Sequence, residues 1–304
     1  MSVNEKTRIL YNDFPALYRA ADKASIAAQR QFVLLTSIEL GLMIAAAIVG
    51  AFTLTDTILK TALAIASAIL LTAGICITVI ERLSKPERIW YDGRAIAESV
   101  KTMAWQYMTG SGQYSTDQGQ KADEAFISAI HSLLLERKTF ASRLGSQYQA
   151  GQQITDKMKL IRNLDFNERK KIYLSERIED QRIWYSQKTE TNRRSAARLF
   201  IATIVAQFVA IIFAFTLGLL HSSIIQLTGV FTTLATAFMA WNQMKRNEEL
   251  AQSYGLATQE LIFIYEQAAQ VKTEEELSNY VISSENAISR EHKMWLARGS
   301  QSQQ

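Results

Sequence analysis

Residues 199–220 read LFIATIVAQFVAIIFAFTLGLL, a run without a single charged side chain. An α-helix needs about 20 apolar residues to cross a hydrocarbon core of ~30 Å, and this run supplies them. Three further apolar blocks occupy residues 32–54, 58–80 and 224–241. The first two reach the same length. The last is marginal, because Thr228, Thr232, Thr233 and Thr236 interrupt it, so it is expected to insert only as the second arm of a hairpin packed on its neighbour. The blocks pair into two hairpins with short turns at residues 55–57 and 221–223. The expected fold is therefore an all-α membrane protein: two transmembrane helical hairpins, four spans in all, with long cytoplasmic helices.

Charge places the ends. Arg19, Lys23 and Arg30 precede the first block, and Arg82, Lys85 and Arg88 follow the second. Arg193, Arg194 and Arg198 precede the third, and Lys245 and Arg246 follow the fourth, while both turns lack Lys and Arg. By the positive-inside rule both termini and the central segment are expected in the cytoplasm. Residues 1–31 are polar, so the first block is expected to remain in the mature chain instead of acting as a cleaved signal.

The chain has 304 residues, a formal charge of +4, one cysteine and three histidines. One cysteine forms no internal disulfide, and with three scattered histidines it supplies no zinc-finger ligand set. No glycine-rich phosphate loop, nucleophile elbow or HExxH motif occurs, so no catalytic, cofactor-binding or metal residues are expected. The slight basic excess belongs to the membrane flanks and does not argue for nucleic acid. An offset of about 160 residues superposes one hairpin on the other, which gives tandem two-span modules at residues 1–150 and 151–304.

The polar segments read as helices. Asp165 is a plausible N-cap for a run that continues into the third block without Gly or Pro until Gly218; as one helix it would reach roughly 80 Å. Phe126, Ile130, Leu133 and Leu134 mark a second helix from near Asp123, and Thr273 with Glu276 forms a capping box for a third. Residues 107–120, rich in Gly, Ser and Gln, are expected to be a flexible joint.

Several residues invite functional readings. Ala202, Ala206, Ala210, Ala214 and Gly218 recur every four residues, a ridge that admits another backbone and favours right-handed crossing. Thr228, Thr232 and Thr236 form a similar row, either for packing or lining water. Glu39 is an acid inside a span, a functional candidate or an interfacial side chain, and Gln207 lies at similar depth as polar glue for another helix. Asp56 and Lys60 are spaced for a local helix pair. Trp90, Arg94, Glu98, Lys101 and Trp105 fall within one helical arc, as do Tyr173, Arg177, Asp180, Trp184 and Lys188. Charges among tryptophans suit a paired-helix interface, with Arg94 facing Asp180 and Glu98 facing Arg177, or else a ligand-sensing face for nucleotide recognition.

These segments carry a resemblance. Leu17-Tyr18-Arg19-Ala20-Ala21-Asp22 with Ala28-Gln29-Arg30, and Trp90-Tyr91-Asp92-Gly93-Arg94-Ala95-Ile96-Ala97-Glu98-Ser99-Val100-Lys101 with Trp105 and Tyr107, frame the first hairpin. Tyr173-Leu174-Ser175-Glu176-Arg177-Ile178-Glu179-Asp180-Gln181 with Trp184-Tyr185 and Lys188, and Ser289-Arg290-Glu291-His292 with Trp295, frame the second. In this order the chain resembles the tandem form of the SLATT superfamily, two-span effectors associated with SMODS and SLOG domains, over nearly its whole length. The resemblance implies a bacterial inner-membrane effector of anti-phage conflict systems that forms a homo-oligomeric pore. Its implied trigger is a nucleotide second messenger or a separate cytoplasmic sensor protein, and no sensor or synthase is fused here. A non-conducting membrane scaffold is the alternative. An intramembrane enzyme is disfavoured, because Glu39 has no evident catalytic partner in the sequence.

Overall fold

The computed structural model describes residues 8–141, 144, 151–220 and 226–301, with side chains described among these except at 139, 217–220 and 290–301. Helices account for nearly all of it, and the described residues contain no strand. The principal elements are α1 (Ala16–Gly50), α2 (Thr57–Ser84), α3 (Pro86–Thr109), α4 (Gln120–Glu136), α5 (Asp156–Arg162), α6 (Phe166–Tyr173), a π-helical turn at Leu174–Glu179, α7 (Asp180–Leu220), α8 (Leu227–Lys245), α9 (Asn247–Gln267) and α10 (Glu274–Gln301).

Local chemistry sets several of these boundaries. The Asp165 carboxylate accepts the Glu168 N–H at 2.9 Å, the cap expected for α6. Thr273 and Glu276 form the reciprocal capping box at the start of α10, each accepting the other's backbone N–H at 3.2 Å. Asp56 caps α2 by accepting the Leu59 N–H at 2.9 Å, so its role is a helix cap and not the ion pair with Lys60 expected from spacing. α2 ends on Lys85 and α8 on Arg246, both in the left-handed region, where the chain turns sharply into the next helix.

The chain forms two compact units. One comprises Met1–Gln29, Glu87–Lys188 and Ser253–Gln304; the other comprises Arg30–Pro86 and Thr189–Gln252. Each unit therefore draws on both halves of the sequence. The first has a continuous core in which Leu17, Ile96, Val100, Trp105, Phe126, Met158, Tyr173, Tyr185, Leu261 and Val281 are almost wholly buried.

The second unit holds the apolar segments. Helical runs that include them, Ala16–Gly50, Thr57–Thr109 and Phe166–Thr216, are long and apolar enough to cross a membrane, and only 11%, 6% and 17% of their most apolar windows are buried. Side chains such as Ile58, Ile69, Phe208 and Phe215 are more than half exposed. A water-soluble protein does not leave apolar surface of this extent open, so hydrocarbon is the solvent that fits these faces. The fourth block forms α8 but does not reach the same apolar character, because its threonines, Asn242 and Gln243 dilute it. Thr232 and Thr236 return their hydroxyls to carbonyls of their own helix, at 3.1 and 3.0 Å.

Within this unit α1 and α2 pair as an antiparallel hairpin. Ser67 donates to the Ala46 carbonyl at 3.2 Å, and Thr78 donates to Glu39 at 2.7 Å. Phe213 of α7 stacks on Phe231 of α8 with centroids 5.6 Å apart. The Gln226 N–H donates to the Ala51 carbonyl at 2.7 Å, so the end of α1 and the start of α8 are tied together. The turn expected at residues 221–223 lies outside the described residues.

Candidate functional site

The first unit contains a buried ion pair at the junction of three helices. Arg177, in the π-helical turn, is 1% exposed, and Glu285 of α10 is 0% exposed. The guanidinium grips the carboxylate from two atoms, Nε at 2.8 Å from Oε1 and Nη2 at 2.7 Å from Oε2. Tyr173 donates its hydroxyl to Oε1 at 3.1 Å, and Thr102 of α3 donates to Oε2 at 2.8 Å. Gln181 accepts from Arg177 Nη1 at 3.3 Å. A buried charge pair is tolerable only when its remaining donors and acceptors are engaged, and here four donors converge on one carboxylate. Burial, then the adjacent Glu285, pushes the Tyr173 hydroxyl far above its ordinary range.

Arg94, Glu98 and Lys101 of α3 belong to the same electrostatic cluster. Arg94 lies 2.9 Å from Glu98 and 3.9 Å from Asp22 of α1. Lys101 sits over the Phe14 ring at 6.0 Å; burial, together with Arg177 and Arg94, lowers its pKa, while Glu98 and Asp180 oppose the shift. Trp105, packed between Phe14 and Tyr173, is 1% exposed, and its indole N–H has no acceptor among the described residues.

The expected partnership of Arg94 with Asp180 is therefore corrected, whereas Glu98 does act on Arg177 as an opposite charge, although the guanidinium's hydrogen-bonded carboxylate is Glu285. Arg94 takes Glu98 and Asp22, Arg177 takes Glu285, and Asp180 is exposed. Arg177 lies within the π-helical turn. The buried row is Arg169, Tyr173, Arg177, Gln181 and Tyr185; at 100° per residue this row would drift by about 160° around a straight α-helix. The wider π turn takes up part of that drift. Gln181 and Tyr185 are buried, whereas Asp180 and Lys188 are exposed. Trp184 is half-buried against Tyr185 and Tyr254, with Lys188 5.7 Å above its ring. Trp90 is half-buried and stacked on Tyr91.

The segment expected to be a flexible joint is pinned. Arg162 donates to the carbonyls of Tyr107 (2.9 Å), Tyr114 (2.6 Å) and Ser115 (2.8 Å), and Arg169 donates to the Thr109 carbonyl and to Glu274. Gly110 has φ +70°, and a Cβ there would lie 2.5 Å from Thr116 Cγ2 and 2.9 Å from Arg169 Nη1. Tyr114 is fully buried. Composition suggested mobility, but two arginines from distant sequence supply the donors that satisfy this loop's carbonyls. Beside it, Lys159, Arg162, Asp123, Phe166 and Arg169 help line a cavity of about 500 Å³.

Glu285, Thr102, Asp22, Arg162 and Arg169 escaped the sequence reading. A signal existed for Glu285, since it interrupts the buried row Leu277, Val281, Ser284 and Ile288 of α10. An acid within a helix's apolar stripe requires a buried partner.

In the second unit the small-residue ridge is only partly interior. Ala206 and Ala210 are buried, Ala202 is half-buried, and Ala214 and Gln207 are exposed; for Gly218 only the helical backbone is described. The inward stripe of α7 is Ala196, Leu199, Thr203, Ala206, Ala210 and Phe213, alternating spacings of three and four. That alternation holds one face of a 3.6-residue helix, while a strict four-residue row turns away from it. Thr228 is half-buried, and Thr232 and Thr236 are exposed. Glu39 has the partner that the sequence left unseen, the Thr78 hydroxyl on the neighbouring helix.

Residues 15–170 match the family model described as SMODS and SLOG-associating 2TM effector domain 3, and residues 173–295 match SMODS and SLOG-associating 2TM effector domain 1. No curated protein and no solved structure matches the chain.

Proposed function

The chain belongs to the SLATT family, with two such effector domains in tandem, and from that premise we propose that it is a cytoplasm-gated, homo-oligomeric pore of a bacterial inner membrane. Domains of this family are membrane-associated effectors of conflict systems. In this reading four spans lie in two hairpins, α8 inserts against α7, and both termini and the central segment are cytoplasmic. The observation that carries it is one helical run. Phe166–Thr216 includes both Arg177, the cationic partner of the buried network, and an apolar, membrane-length segment, so a change at the network is covalently coupled to a span.

Oligomerisation follows from pore size, since four helices are too few to enclose a wide aqueous channel. The trigger is a nucleotide second messenger or a separate sensor protein acting on the polar unit, with defence against phage as the outcome. Trp105, Tyr173 and Arg177 are interior, so they serve as the switch and not as an open ligand face. No catalytic residues are assigned.

The test is oligomer mass in nanodiscs followed by conductance or dye release from liposomes with the same sample. Defined oligomers that leak on triggering support the pore; a monomer that never conducts overturns it. The alternative, a non-conducting scaffold, is separated by exchanging both hairpins for unrelated spans, which a scaffold tolerates and a pore does not.

A further inference from the structure

The second unit contains a cleft of about 610 Å³ between the polar beginning of α7 and the start of α9, lined by Thr189, Arg193, Ala196, Phe200, Glu248 and Gln252 among others. Its lining is mixed in chemistry. Ala196, Ala197, Phe200 and Ala251 form an apolar wall, and Phe200 is 61% exposed. Arg193 and Glu248 supply one positive and one negative charge. Their sequence neighbours are paired off, Arg194 with Glu190 and Arg246 with Glu249 at 2.8 Å. Among the described residues neither the Arg193 nor the Glu248 side chain, both exposed, has a hydrogen bond or ion pair.

The position of the cleft along the helices is informative. Arg193 lies just ahead of the apolar run that opens at Leu199, and Glu248 just beyond the Trp241 at which the fourth block ends. At 1.5 Å per residue they lie about 9–10 Å beyond the ends of those runs, at the outer edge of the head-group layer of a bilayer whose core holds them. Basic pockets between spans at this depth recruit phospholipid head groups. An added carboxylate disfavours a purely anionic head group but complements an ammonium.

We propose that this cleft binds phosphatidylethanolamine, with the phosphodiester on Arg193, the primary ammonium on Glu248 and an acyl chain along Ala196, Ala197 and Phe200. The ammonium offers three N–H donors, which the quaternary amine of phosphatidylcholine lacks. Phosphatidylglycerol brings the phosphate without the counter-charge. The inference rests on the membrane placement above, but not on pore formation.

Full-length protein in dodecyl maltoside is titrated with dioleoyl phosphatidylethanolamine, phosphatidylcholine and phosphatidylglycerol, and bound lipid is counted by native mass spectrometry. Phosphatidylethanolamine is expected to bind at least about fivefold more tightly than phosphatidylcholine, the scale of one charged contact near a membrane surface. Arg193→Gln weakens phosphatidylethanolamine and phosphatidylglycerol alike, by about fivefold, and Arg193→Lys retains most of the binding. Glu248→Gln removes the preference for phosphatidylethanolamine over phosphatidylglycerol. Equal binding of phosphatidylethanolamine and phosphatidylcholine, or variants that leave the order unchanged, overturns the proposal. So does phosphoethanolamine competing at the same concentration as the lipid, since that identifies a soluble phosphate site. A chain that is monodisperse without detergent overturns the membrane placement itself, whereas a detergent-dependent chain with no lipid preference overturns only this site.

Discussion

Glu285 receives hydrogen bonds from Arg177, Tyr173 and Thr102 while wholly shielded from solvent. Glu285→Gln keeps the shape but leaves the Arg177 guanidinium buried without its counter-charge. It is expected to cost about 3–5 kcal/mol, the scale for breaking one side of a buried pair; thermal unfolding in detergent, with α-helical content followed by circular dichroism, checks it. Lys101 has the opposite character. Its folded-state pKa lies below the unfolded value, so the native state carries the cost of a desolvated ammonium at neutral pH. That cost is full below the folded pKa and fades as pH rises through it toward the unfolded lysine range near ~10.4. Lys101→Met is expected to be more stable by about 1 kcal/mol at neutral pH. The advantage should shrink with increasing pH, and urea titrations in detergent across the alkaline range measure it. A gap that widens with pH contradicts the assignment.

Among the elements, the π-helical turn and the Gly110 loop are the features with sharp consequences. Deleting Ser175, whose side chain is exposed, shortens the turn and rotates everything after it by about 100° relative to Tyr173. The expected result is a protein with nearly unchanged helicity that loses triggered conductance; retention of gating would detach the turn from the switch. Gly110→Ala meets both a left-handed backbone and the Arg169 guanidinium, and about 1–3 kcal/mol of stability should be lost. The N-cap Asp165 was legible in the sequence because a cap needs only its own next turn. The pinned loop was not. Its ordering comes from Arg162 and Arg169, and local composition carries no information about donors that arrive from another helix.

At the scale of the whole molecule, the exposed apolar faces make detergent a requirement. Dilution below the critical micelle concentration is expected to precipitate the protein, and light scattering reads the outcome directly; a clear, monodisperse solution would remove hydrocarbon as the matching solvent. Removing α8 and its turn should also impair insertion of α7, because the threonine-rich helix packs Phe231 against Phe213; protease protection in membrane vesicles reports whether α7 then still spans.

The amino-acid sequence by itself determined the helical class, the apolar runs, the Asp165 cap, the Thr273–Glu276 capping box and the tandem arrangement, since each depends on residues within a few turns of one another or on the length of an uncharged stretch. Only the tertiary structure decided that Arg177 belongs to Glu285, that Glu39 meets Thr78, and that the every-four ridge of α7 is only partly interior. Those outcomes depend on which helix covers which face. A single π-helical turn, invisible to a fixed 100° period, rotates the faces that follow it.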